Sequence, residues 1–188
     1  MTIRKILGVD PGETTGWAVC KFEIKQTRRP LSEGDGISKL QVLAAGQLNG
    51  HDLISDGLDM TMPGAGNYSH HRAIVMALMQ ILAENKCNAI VIEDFVLRQF
   101  TTMDRAGIGP HGIINMLEVW LYDIMMPAGE WQGDVVYQTP SQAKGVMNDQ
   151  RMKSMELWQV GLPHATDAVR HCEVYRRKWS QNRRSQIG

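Results

Sequence analysis

Asp10, Glu93, His164 and Asp167 are the residues whose types and placement best suit chemistry in this chain. Asp10 ends the apolar run Ile6-Leu7-Gly8-Val9 and is followed at once by Pro11-Gly12, while Glu93 ends a second run, Ala89-Ile90-Val91-Ile92. His164 and Asp167 stand three apart where a helical pattern begins. Carboxylates gathered in one place repel and raise each other's pKa, unless a cation lies between them. The pattern therefore predicts a metal-dependent enzyme, with these four acidic or metal-competent residues as its candidate catalytic and metal site. Oxygen-rich sites of this kind suit Mg²⁺, or Mn²⁺ in its place. Two such ions about 4 Å apart would activate a water and stabilise the leaving oxygen in phosphodiester hydrolysis.

Each residue also has an ordinary role. Asp before Pro-Gly initiates turns well, and Asp167 in a first helical turn favours the helix dipole. His164 beside Pro163 would serve as a surface residue near a helix start. Glu93 is the hardest to explain away, because a carboxylate ending an Ala-Ile-Val-Ile strand is close to burial. The joint pattern favours the site.

The elements that must position these residues follow from periodicity and turn chemistry. Strands are expected at Lys5–Val9, Gly16–Phe22, Val42–Gln47, Ala89–Val96 and Asp134–Tyr137. Helices are expected at Ser69–Asn85, near Ile113–Ile124, from Thr139-Pro140-Ser141-Gln142 (a Thr cap, Pro at the first position and a Gln able to close a capping box), at Arg151–Gln159 and from Pro163 to about Trp179. Thr27–Gly36, Gly50–Tyr68 and the stretch around Gly107-Ile108-Gly109-Pro110 read as loops. The order predicts an α/β fold with a five-stranded mixed central sheet flanked by helices, the first and fourth strands adjacent at its centre. Asp10 and Glu93 would then face each other across neighbouring strand ends. On the last helix His164, Asp167 and His171 share one side.

Bulk properties set the frame. With 188 residues, 43% hydrophobic and 21% charged, the chain is an ordinary globular domain, expected to be cytoplasmic with no signal peptide and no membrane span. Cys20, Cys87 and Cys172 are far apart and read as small buried hydrophobes. Net charge is zero, but Arg170, Arg176, Arg177, Lys178, Arg183 and Arg184 crowd the last segment, where Glu173 is the sole acid. Residues 1–178 read as one domain and 179–188 as a basic tail.

Several motifs coincide with one family. Val9-Asp10-Pro11-Gly12 followed by Thr15-Gly16-Trp17-Ala18-Val19 resembles the first motif of the RuvC-type Holliday junction resolvases. Val91-Ile92-Glu93 resembles their second acidic motif, and Pro163-His164-Ala165-Thr166-Asp167-Ala168 their terminal one. Tyr137-Gln138-Thr139-Pro140 with Lys144, then Lys153, stands where that family has a Pro-then-Lys helix and a second Lys. The Asp-Ala-x-Arg-His form at Asp167–His171 looks most like the bacteriophage branch. The resemblance runs from Ile6 to about Tyr175.

The resemblance implies an RNase H-like fold, a homodimer, and Mg²⁺-dependent nicking of four-way DNA junctions in recombination or phage genome processing. It carries Asp10, Glu93 and Asp167 over as metal ligands, with His164 as a ligand or as the group orienting the attacking water. There are departures. Met147-Asn148-Asp149-Gln150 replaces the usual Gly-x-Gly, and Val96 stands where a junction-opening aromatic is expected, with Phe95 and Phe100 nearby.

Candidate DNA contacts are Phe95, Arg98 and Phe100 beside the second acid, Lys144, Arg151 and Lys153 near helix starts, and Arg176 and Arg177 in the basic segment. Alternative readings remain. One is a broader branched-DNA or flap endonuclease, and another is a non-catalytic junction-binding module. A third is a kinase-like phosphotransferase, since Asp10-Pro11-Gly12-Glu13-Thr14-Thr15 also fits a phosphate-binding turn; such enzymes are usually much longer.

Overall fold

The computed structural model describes residues 1–25, 36–55, 69–94 and 108–185. Its centre is a five-stranded sheet in the order β3-β2-β1-β4-β5, made from β1 (Thr2–Asp10), β2 (Thr14–Ile24), β3 (Gln41–Asn49), β4 (Ala89–Glu93) and β5 (Asp134–Gln138). The first three strands form an antiparallel meander, whereas β4 and β5 run parallel to β1. β1 lies in the middle of the sheet with β4 beside it, as the sequence predicts.

Strand alternation divides the interior into two cores. Leu7, Val9, Val19, Ile90 and Ile92 face one way, packing against Ile74, Leu78 and Leu82 of α2 (Ser69–Glu84) and Ile113 and Leu117 of α3 (Ile108–Glu118). Ile6, Ala18, Cys20, Phe22 and Val91 face the other way, under Ala168, Val169 and Cys172 of α6 (Pro163–Ser185). β4 is buried along its length until Glu93, which explains its unbroken apolar run.

Short helices complete the fold. α4 (Pro140–Val146) begins with the expected capping box: Thr139 Oγ1 accepts from Gln142 N at 3.3 Å, and Gln142 Oε1 accepts from Thr139 N at 3.4 Å. α5 (Asp149–Ser154) is capped by Asn148, whose side chain accepts from Arg151 N at 3.0 Å.

Several boundaries differ from the sequence reading. Gly50–Ser55 forms the short helix α1 rather than loop, and α3 already begins at Ile108 because Pro110 falls in its first turn, where no backbone donor is needed. The chain then winds as a π-helix over Val119–Met125, a change of pitch that apolar spacing does not reveal. α5 covers Asp149–Ser154 only, since Glu156 takes a positive φ of 60° and ends it. α6 does not stop near Trp179; it runs unbroken to Ser185, so residues 179–185 are helical. All three cysteines are buried and free, as expected. Among the described residues no helix is long and apolar enough to cross a membrane.

Candidate active site

Two glycines allow α6 to lie directly on the sheet. A Cβ at Gly8 would overlap the Ala168 carbonyl, and one at Gly16 would overlap the backbone of His164. The close approach carries the first turns of α6 over the carboxyl end of β1, and Gln47 Oε1 of β3 accepts from His164 N at 3.1 Å.

The strand register then assembles the site. Val9 pairs with Ile92 and Glu93 with Gln138, so Asp10, Glu93 and Gln138 continue three adjacent strands at the same level. Asp10 follows Ile6 and Gly8 in parity, and Glu93 follows Ala89 and Val91, so both point to the α6 side. The structure thus brings all four sequence-predicted site residues to one end of the sheet, Asp10 and Glu93 on the strand ends and His164 and Asp167 on the first turns of α6.

Each carboxylate has its own partner. His164 Nδ1 donates to Asp10 Oδ2 at 2.9 Å, and its ring is nearly half exposed. Glu93 Oε2 lies 2.7 Å from His171 Nε2, and His171 Nδ1 is 3.2 Å from Gln138 Oε1. Asp167 receives Arg170 Nη1 on Oδ1, while Lys144 Nζ lies 3.5 Å from Oδ2. His171, which the sequence places on the same side of the helix as His164 and Asp167, is bound to Glu93, whereas Arg170, read there only as part of the basic segment, is bound to Asp167.

Asp10 is 8% exposed, and its pKa is pushed up from 3.8 to about 6. Burial is the largest cause and repulsion from Glu93 the next; the His164 contact pulls the other way, and Asp167 adds a little more repulsion. Such a site gains from a cation. Oxygen donors from Asp10, Glu93 and Asp167, with His164 at the rim, match the chemistry of Mg²⁺ or Mn²⁺. As they stand, no three acidic, His or Cys side chains among the described residues surround a single point closely enough to enclose an ion. The three carboxylates turn toward separate internal partners instead.

The other sequence candidates are spread more widely. Lys144 is on α4, with its amine beside Asp167. Arg151 and Lys153 lie exposed on α5; Arg151 Nη1 donates to the Val146 carbonyl at 2.7 Å, and Lys153 Nζ sits 4.7 Å from the centre of the Trp158 ring. Arg176 and Arg177 both close on the fully buried Glu173 at 2.7 Å, and Arg176 also reaches the Ser38 carbonyl at 3.3 Å. Their guanidinium groups are therefore committed to an internal carboxylate. Phe95, Arg98 and Phe100 lie outside the described residues, as do most of the loop Thr27–Gly36 and the stretch from Asp56 to Tyr68.

The chain matches no family model and no curated protein. Solved structures do resemble it. RuvC of T. thermophilus, in complex with Holliday junction substrate, has a TM-score of 0.60 at 14% identity, covering 96% of this chain and 96% of its own. A second T. thermophilus RuvC structure has a TM-score of 0.57 at 14% identity, covering 96% of this chain and 97% of its own. The yeast mitochondrial Holliday junction resolvase Ydc2 has a TM-score of 0.58 at 14% identity, covering 98% of this chain and 85% of its own. The chain has the RuvC-type, RNase H-like fold.

Proposed function

We propose that this protein is a divalent-metal-dependent, structure-selective DNA endonuclease acting on four-way junctions, in recombination or phage genome processing. The observation that carries the reading is that β1, β4 and α6 bring Asp10, Glu93 and Asp167 to one end of the sheet, where burial and then repulsion from Glu93 push Asp10 up to about 6. Those carboxylates, with His164, would hold Mg²⁺ or Mn²⁺. The metal, in a pair if two are bound, would supply Lewis acidity for an attacking water and charge neutralisation at the leaving oxygen.

The chain's own groups have separate tasks. With Nδ1 held on Asp10, the half-exposed ring of His164 would use Nε2 either as a metal ligand or to orient the attacking water. His171, on α6, would hold Glu93 in place. Lys144, Arg151 and Lys153 lie on or next to the α4–α5 corner and would track phosphates entering the site. Phe95, Arg98 and Phe100 follow Glu93 in sequence and would contribute stacking and charge. Four-way junctions have near two-fold symmetry, so a homodimer would place one site on each of two equivalent strands. A phage origin would place the reaction in the host cytoplasm.

The test is cleavage of an end-labelled four-way junction, a 5′ flap and a linear duplex, each with Mg²⁺ or chelator, with Asp10→Asn alongside. Paired metal-dependent nicks confined to the junction support the reading. Equal cutting of the flap makes it a general branch nuclease, and junction binding without cutting makes it a binding module.

A further inference from the structure

Arg170 stands one turn beyond Asp167 on α6 and is only 2% exposed. Its Nη1 donates to Asp167 Oδ1 and its Nη2 to Asp149 Oδ1 at 2.6 Å, while Nε is buried without a partner among the described residues. Asp149 opens α5 directly after the Asn148 cap, so its backbone is fixed, yet its own side chain is largely exposed. Burying a guanidinium is costly even when it is paired, and an apolar residue of similar volume usually fills such space at least as well. A buried bridge between two helices that leaves one donor unsatisfied therefore calls for a purpose other than packing.

The bridge fixes which face of Asp167 is offered. Oδ1 is taken by Arg170, and Oδ2 is turned toward Lys144, whose flexible amine is 3.5 Å away and mostly exposed. Asp10 and Glu93 are steadied by histidines, whereas Asp167 is steadied by a cation that also grips a second helix. We propose that Arg170 is a positioning residue that presents Asp167 to the metal through Oδ2 alone, with Asp149 as the strut that fixes the guanidinium. The proposal rests on the reading of Asp167 as a metal ligand. Lysine cannot replace Arg here, because a single ammonium on a flexible stem lacks the planar fork that reaches both carboxylates.

The test is Mn²⁺ titration of the metal-free full chain, followed by electron paramagnetic resonance of free Mn²⁺, for wild type, Arg170→Lys, Asp149→Asn and Asp10→Asn. Melting curves and junction binding in Ca²⁺ are recorded for each. Loss of a partner that orients a ligand weakens metal affinity by roughly 10–100-fold, which is the expectation for Arg170→Lys. Asp149→Asn should weaken it several-fold in the same direction, with a melting temperature within about 3 °C of wild type. A purely structural Arg170 would lower the melting temperature and leave Mn²⁺ affinity unchanged. Unchanged Mn²⁺ affinity in Asp149→Asn overturns the proposal even if Arg170→Lys fails to fold. If wild type binds Mn²⁺, Asp10→Asn does not, and no junction is cut, the junction reading fails while the role of Arg170 stands. If wild type binds no Mn²⁺, the proposal falls with the metal site.

Discussion

Gly16 on β2 faces the backbone of His164 so closely that a methyl group at position 16 would overlap the His164 carbonyl. Gly16 is also the ladder partner of Asp10, so this one contact sets the first turn of α6 directly above the first carboxylate. The helix is held at that height by sterics rather than by polar bonds alone.

Gly16→Ala should therefore lift the start of α6, costing about 1–3 kcal/mol of stability and separating His164 from Asp10. Gly145, in α4, has nothing within 4 Å of where its Cβ would lie. Gly145→Ala should instead add roughly 0.5–1 kcal/mol through helix propensity and leave junction cutting unchanged. Urea unfolding midpoints with cleavage rates check both. Equal stability of Gly16→Ala and wild type would refute the close seat.

Asp10 sets a pH dependence whose sign can be worked out. Its folded pKa of about 6 exceeds the ordinary 3.8, so between those values the folded state holds more protons than the unfolded. The stability contributed by the protonated group is present below pH 3.8 and is lost as pH rises through about 6. In chelator at pH 7.5, Asp10→Asn should thus be more stable than wild type by about 1–3 kcal/mol, and the gap should close near pH 4. Mg²⁺ should raise the melting temperature of wild type but not of the variant, which should also lose cutting. Melting curves at both pH values, with and without Mg²⁺, check this.

His171 is buried between Glu93 and Gln138. His171→Leu should remove the donor to Glu93, leave a buried carboxylate oxygen and amide without a partner, and cost about 2–4 kcal/mol. His171→Gln keeps one donor and should recover part of that loss. Chemical unfolding reads the stability. A Mg²⁺ activation curve displaced to higher concentration in both variants would mark the effect on the site.

The placement of Asp10 and Glu93 was legible because their signals are local. Asp10 and Glu93 each end an apolar run, and alternation along those runs is enough to place them on one face of a parallel pair. The capping box at Thr139 was legible for the same reason. What was not legible depends on approach between distant segments. Nothing near Gly8 or Gly16 in sequence shows that a helix about 150 residues later must sit on them. Arg176 and Arg177 read as a basic surface because charge is visible in sequence, whereas the burial of Glu173 beneath them is not. The extension of α6 to Ser185 was missed for a related reason: its last turns carry no apolar stripe to announce them.

That difference in burial separates two sets of basic residues experimentally. Arg176→Ala removes a forked contact to the buried Glu173, leaving Arg177 as its remaining partner, and should cost about 2–3 kcal/mol of stability. Its effect on junction affinity should be small, because its guanidinium already has an internal partner. Lys144, Arg151 and Lys153 lie exposed on α4 and α5, and their replacement by Ala should leave the fold intact. Each that contacts a phosphate should weaken junction binding and flatten the dependence of log affinity on log salt by about 0.9. Fluorescence anisotropy on a labelled junction between 50 and 200 mM salt, with Ca²⁺ to block cutting, measures that slope. A slope lowered by Arg176→Ala but not by Lys144→Ala or Lys153→Ala would move the DNA path from the α4–α5 corner to the far half of α6.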